Sequence, residues 1–254
     1  MIRLMSFMRR SIALPFALLA LAACNGEQAE QKPAQNNGNT PVTTTPIAGN
    51  PAAKRPSKAK RMPIGSGFDF YVLSLSWSPT WCLENDPKGR SQQCAAENSH
   101  GFIVHGLWPQ NERGYPEFCR TREPDRVPET LGRGLFDIMP SMGLIGHEWR
   151  KHGSCSGLSQ KDYFTVLRAA RERVTIPASL QTVQQQERTS PTDIETRLTG
   201  ANPGLQANAI AVGCTAGRVE EVRICFNKDL TFRACGEIDR GGCKVKNLSL
   251  PATP

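Results

Sequence analysis

The chain is 254 residues long, 39% hydrophobic and 21% charged, with a net charge of +8, a length that suits one globular domain with appendages. The charge does not mark a strongly basic domain. Residues 1–66 hold nine basic and two acidic side chains, which leaves 67–254 at only +1, so function must be read from local chemistry.

In chain order, Arg3, Arg9 and Arg10 precede an apolar run from Ile12 to Ala23, too short to span a bilayer and flanked as a signal peptide is. Leu21-Ala22-Ala23-Cys24 resembles a bacterial lipoprotein signal box, cut before the cysteine and lipidated on its sulfur; the alternative is ordinary cleavage after Ala20-Leu21-Ala22. Residues 1–24 are read as a signal peptide of the lipoprotein type. The cysteine count supports this. Nine are present, and removing Cys24 leaves eight, an even number suited to four disulfides in an exported protein. No Cys-x-x-Cys pair exists, which counts against a zinc ribbon. The expected location is periplasmic or extracellular, with the lipid on Cys24 as a tether to the outer membrane.

Residues 25–66 are rich in Ala, Gln, Asn, Thr and Pro without apolar periodicity, as a disordered tether would be. The folded domain is expected over 67–254. Phe68 to Trp77 reads as a strand ended by Ser78-Pro79, and Gly101 to Leu107 as a second, buried strand. A helix is expected over 129–139, a short helical turn over His147–His152 closed by Gly153, and an amphipathic helix over Asp162–Arg173. Ser190-Pro191 is a helix start with a capping serine and proline at the first position. Ala209–Cys214, Val219–Phe226 and Leu230–Cys235 read as late strands. Strands early and late around helices predict an α+β domain with a central antiparallel sheet flanked by helices.

Only four histidines occur, and three lie in two short segments: Phe102-Ile103-Val104-His105-Gly106-Leu107-Trp108-Pro109, and His147-Glu148-Trp149-Arg150-Lys151-His152-Gly153-Ser154-Cys155. On a helix, His147, Glu148, Lys151 and His152 share one face, with Trp149 turned toward the core. A zinc-protease helix would need histidine at i+4, where Lys151 stands. His147 and His152 are roughly 140° apart around the axis, a poor pair for one metal. No metal or cofactor is therefore expected. Gly106 would let a ligand approach the backbone, and Trp108 could stack on a base. His100 is read as structural or exposed. Two histidines, a lysine and a glutamate without a metal suit phosphodiester transesterification on RNA. One imidazole deprotonates the 2′-hydroxyl, the other protonates the departing oxygen, and the remaining groups hold the growing charge.

Both segments resemble the two active-site signatures of the ribonuclease T2 family, the second almost residue for residue, with Ser154 where threonine is common. The resemblance covers about residues 67–250, including Ser-Trp-Ser-Pro at 76–79 and the cysteine spacing. It implies single-stranded RNA as substrate, a 2′,3′-cyclic phosphate product slowly hydrolysed to a 3′-phosphate, and a monomer. It implies His152 as general base and His105 as general acid, with His147 binding phosphate. Glu148 and Lys151 would stabilise the phosphorane, and Trp108 would pack beside the nucleotide. It also implies the pairs Cys82–Cys94, Cys119–Cys155, Cys214–Cys243 and Cys225–Cys235, one of 105 connectivities open to eight cysteines. Gln110 stands where the family often has an aspartate or asparagine that contacts the base, which implies Gln110 as a base contact and leaves base preference open; Tyr115 is a second candidate for stacking. The competing functions are a non-catalytic RNA-binding protein and a cysteine-rich envelope protein on the same fold.

Overall fold

The computed structural model describes residues 61–95 and 97–254. The signal peptide over 1–24, the lipid site at Cys24 and the tether up to residue 60 lie outside the described residues. Tertiary contacts begin before residue 67: the Ser66 amide donates to Ser156 O at 3.0 Å.

Strand β1 (Phe70–Trp77) is central, pairing antiparallel with β2 (Phe102–Gln110) on one side and with β5 (Arg218–Phe226) on the other. Its alternation sorts the residues physically. Tyr71, Leu73, Leu75 and Trp77 enter the main core. Phe70 and Val72, on the opposite face, join a smaller apolar cluster with Cys225 and Cys235. Ser74 and Ser76 continue that second face, which is where the cleft lies. Strand β4 (Ile210–Thr215) also pairs antiparallel with β5. The short β3 (Glu187–Thr189) pairs antiparallel with β6 (Leu248–Leu250). The sheet is thus antiparallel apart from one parallel contact, Arg218 with Ser249, between β5 and β6.

Seven α-helices surround it among the described residues: α1 (Ser78–Asn85), α2 (Glu129–Arg133), α3 (Met142–Lys151), α4 (Gln160–Glu172), α5 (Ala178–Gln181), α6 (Pro191–Ala201) and α7 (Gly236–Arg240). The helix started by Ser190-Pro191 and the amphipathic helix α4 both form as expected. Ser159 accepts from the Asp162 amide at the start of α4, and Ser190 from the Asp193 amide at α6. Helix α4 buries Tyr163, Phe164, Val166, Leu167 and Ala170. Full burial of each large side chain is worth about 1.5–3 kcal/mol.

Four expectations are corrected. The helix over 129–139 ends at Arg133, because Gly132 and Gly134 weaken its continuation, and the chain buries Leu135 and Met139 through turns instead. Ser78-Pro79 ends β1 but also starts α1, where proline costs nothing because its missing N–H is not needed in a first turn. The turn at His147 belongs to a longer helix that starts at Met142, capped by Ser141. Leu230–Cys235 is not a strand: only Phe226 and Phe232 bridge. Its amides are used elsewhere, Thr231 on Asp229 and Cys235 on Asn208 O.

The disulfides are Cys82–Cys94, Cys119–Cys155, Cys214–Cys243 and Cys225–Cys235. Cys119–Cys155 clips the loop after β2 to the turn after α3, which joins the surroundings of the two histidine segments. Among the described residues, no helix is long and apolar enough to cross a membrane.

Candidate active site

The cleft has a volume of about 750 Å³, and its walls include His105, Trp108, Gln110, Tyr115, His147, Glu148, Lys151 and His152. All eight residues singled out in the sequence therefore meet at one place.

A β-bulge places His105. Ser74 pairs with Gly106 and Leu75 with Val104, so His105 is the extra residue of β2 and has no partner on β1. Strict alternation would put it on the face of Leu107, in the core. The bulge turns it to the cleft face, with a half-exposed side chain. Its Nε2 lies 3.5 Å from Glu148 Oε1, and its Nδ1 lies 3.4 Å from Glu221 Oε2. Burial pulls the pKa of the ring down. The hydrogen bond to Glu221 and the charges of Glu148 and Glu221 outweigh burial, and the net shift is upward although Arg223 opposes it.

The second segment comes from the end of α3. Ile145 and Trp149 face the core, and Trp149 donates to Pro124 O at 2.8 Å. Glu148 is also buried, at 1% exposure, with Oε2 accepting from the Trp108 indole at 2.9 Å. Burial pushes its carboxyl up, against the opposing pull of His105, Trp108 and Lys151. His147 is exposed on the rim, its pKa lowered by burial and by Lys151 and Arg150. Lys151 Nζ is 3.9 Å from Glu117 Oε2. His152 caps the helix just beyond its last residue. Its ring stacks on Trp108 at 5.1 Å, with Tyr115 at 6.0 Å. Only 4% of His152 is exposed, and its Nδ1 is buried without a hydrogen-bond partner. Burial, then the charges of Lys151, His105 and His147, bring its pKa down to about 3.

Two roles are corrected. Gly106 makes room for protein rather than for a ligand: a Cβ there would sit 1.8 Å from Glu148 Oε2 and 2.6 Å from Trp108 Nε1. Gln110, expected to contact a base, is 2% exposed and donates its side-chain amide to Gly114 O at 3.0 Å. That donor supports the turn beside Tyr115. His100 is half-buried and outside the cleft walls.

Sequence reasoning missed Glu221 and Arg223. Both lie on the cleft face of β5, opposite Ser76 and Ser74 of β1. Glu221 is 5% exposed and accepts from Ser74 Oγ at 2.6 Å and from Arg223 Nε at 2.7 Å. These contacts and His105 overcome the effect of burial and hold its carboxyl at about 2. The signal available was a pair of charged residues at alternate positions, Glu221 and Arg223, on either side of Val222 and just before the apolar Ile224, Cys225 and Phe226. Chemically, the cleft offers one imidazole biased toward its neutral form and one biased toward its charged form. A carboxyl and an ammonium group lie beside them, so the site is equipped to move protons at an anionic group.

Fold and site together define a disulfide-linked α+β protein with a two-histidine acid–base cleft. Residues 68–235 match the model of the Ribonuclease T2 family. The chain belongs to that family. A ribonuclease of Aeromonas hydrophila is 43% identical over 113 residues, which are 44% of this chain and 49% of that protein. A probable ribonuclease of Haemophilus influenzae is 37% identical over 108 residues, 38% of this chain and 39% of that one. The aligned part thus spans half or less of these two relatives. Ribonuclease DdI of Dictyostelium discoideum is 27% identical over 206 residues, covering 73% of this chain and 86% of that protein. An RNase-related protein from Calystegia sepium shares the fold, with a TM-score of 0.57 at 21% identity over 74% of this chain and all of that one.

Proposed function

We propose that the protein is an endoribonuclease that cleaves single-stranded RNA by transesterification, without a metal ion. The carrying observation is that His105 and His152 border one cleft on either side of Trp108, with opposite shifts in proton affinity. Neutral His152 accepts the 2′-hydroxyl proton as that oxygen attacks phosphorus. The bond from phosphorus to the 5′-oxygen breaks, and charged His105 gives that oxygen its proton. The product is a 2′,3′-cyclic phosphate. Water then opens it to a 3′-phosphate with the two imidazoles exchanging roles. Lys151 and His147 are placed to meet the phosphate charge. Glu148, its carboxyl pushed up by burial and its Oε1 3.5 Å from His105 Nε2, acts with Lys151 to stabilise the phosphorane. Trp108 and Tyr115 offer ring faces to the nucleotide.

The same reading takes the chain as exported, with 1–24 as its signal, 25–66 as a tether, 67–254 as the catalytic domain, and a lipid on Cys24. The same reading takes it to act as a monomer. Mass spectrometry of the mature N-terminus tests the lipid, and sedimentation tests the monomer. Product analysis on a defined oligoribonucleotide tests the chemistry. Cyclic phosphate ends are expected, with EDTA tolerated, DNA left intact and turnover abolished by His152→Ala. Tight RNA binding without turnover would establish the non-catalytic alternative instead.

A further inference from the structure

We propose that Glu221 is a positioning residue that holds the Nδ1–H edge of His105, presents the Nε2–H edge to the departing oxygen, and so decides which imidazole gives the proton. The proposal rests on the ribonuclease reading above.

The carboxylate is built in place from several directions. Ser74 Oγ donates to Oε2 at 2.6 Å, and Arg223 donates to Oε1 from Nε at 2.7 Å and again from its terminal nitrogen. Behind it, Gly213 of β4 pairs with Glu221, and a Cβ on that glycine would sit 2.9 Å from Glu221 Cγ. The side chain therefore has little room to turn away. It faces His105 Nδ1 at 3.4 Å, long for a hydrogen bond, as catalytic contacts often are before substrate tightens them. The bulge points the opposite edge of the ring, Nε2, toward Glu148 and the cleft.

An apolar residue at 221 would serve a sheet more cheaply, since a buried carboxylate must be fully compensated. The groups facing His105 are Glu148 and His147 from α3, His152 beyond its end, and Glu220, Glu221 and Arg223 from β5. His152 differs at the corresponding atom: its Nδ1 is buried and has no partner. A carboxylate behind one ring and nothing behind the other fixes the direction of proton traffic. Arg223 also lies over the Trp108 indole at 5.4 Å, which links this support to the ring that stacks on His152.

The test is Glu221→Gln in the full chain, assayed on two substrates. A dinucleoside phosphate expels an alkoxide that needs a proton. A nucleoside 3′-(4-nitrophenyl phosphate) expels a phenolate that does not. The expected result is a kcat loss of about 10-fold or more on the first, a change under about 3-fold on the second, and an unchanged KM. By NMR without substrate, the His105 pKa should fall, because the hydrogen bond and charge of Glu221 that raise it are gone. Equal losses on both substrates, or unchanged kcat with an unchanged His105 pKa, would overturn the proposal. If Glu221→Gln does not fold, Ser74→Ala loosens the same carboxylate and should give the same substrate split, about 2- to 5-fold; equal losses there overturn it too. If the wild type cleaves neither substrate, the ribonuclease reading fails, and the NMR titration alone judges the pairing.

Discussion

Gly106→Ala tests how tightly the site is assembled. Gly106 lies on a strand at a negative φ, so alanine meets no backbone penalty. The reduced freedom of the unfolded chain would by itself stabilise the variant by about 0.4–1 kcal/mol. Against this, the new Cβ would lie 1.8 Å from Glu148 Oε2 and 2.6 Å from the Trp108 indole nitrogen. Glu148 is buried and cannot retreat into solvent. Overpacking costs about 1–3 kcal/mol. Losing the 2.9 Å bond from Trp108 to a buried carboxylate costs about 1.5–3 kcal/mol more. The clash wins, and a net destabilisation of about 2–5 kcal/mol is expected from these opposing terms. With Glu148 displaced, kcat should fall by about 30- to 1,000-fold, the equivalent of one lost charge-stabilising group. Urea melts and steady-state kinetics on a dinucleoside phosphate measure the two effects separately. A variant as stable as the wild type, with kcat within about 3-fold, would refute the packing argument and the role given to Glu148.

The pH dependence of kcat/KM should be a broad bell. His152, depressed to about 3, is neutral and able to accept a proton above that value. His105, shifted upward by Glu221 and Glu148, loses its proton at a higher pH than a free imidazole, which sets the falling limb. A rate that climbs steadily to about pH 9 contradicts these assignments. Lys151→Ala should lower kcat by about 2–4 kcal/mol of transition-state stabilisation and leave the melting curve nearly unchanged; Lys151 is partly exposed, and its Glu117 contact is 3.9 Å. Replacing both Cys119 and Cys155 by serine should cost about 2–5 kcal/mol in a urea titration and reduce activity, because that bridge clips the loop after β2 to the end of α3.

The readable parts of the sequence were those with local causes. The Ser190 cap and the apolar face of α4 depend on neighbours a few residues away, and they formed as expected. The two histidine segments were visible because scarce residue types clustered within them. The strand over Leu230–Cys235 failed for a local reason that was harder to see: Leu230 adopts a φ of +64°, and the turn consumes the amides that a ladder would need. Gln110 looked like a base contact because of its position after Trp108-Pro109, yet its amide had a nearer partner in Gly114.

The sequence by itself determined which reactive groups exist, where the Ser190-capped helix begins and how many cysteines can pair, because these depend on composition and short-range geometry. The pairing of those cysteines was implied only by family resemblance. Tertiary structure alone decided the proton affinities of the two imidazoles. His105 owes its support to Glu221, 116 residues away, and Glu148 is held by Trp108, 40 residues away. A bulge that no composition rule locates turns His105 out of the core, and burial strips His152 of water. Electrostatic fields and desolvation are set by what folding brings within a few ångströms, so the acid and the base could be told apart physically only once the strands were in register.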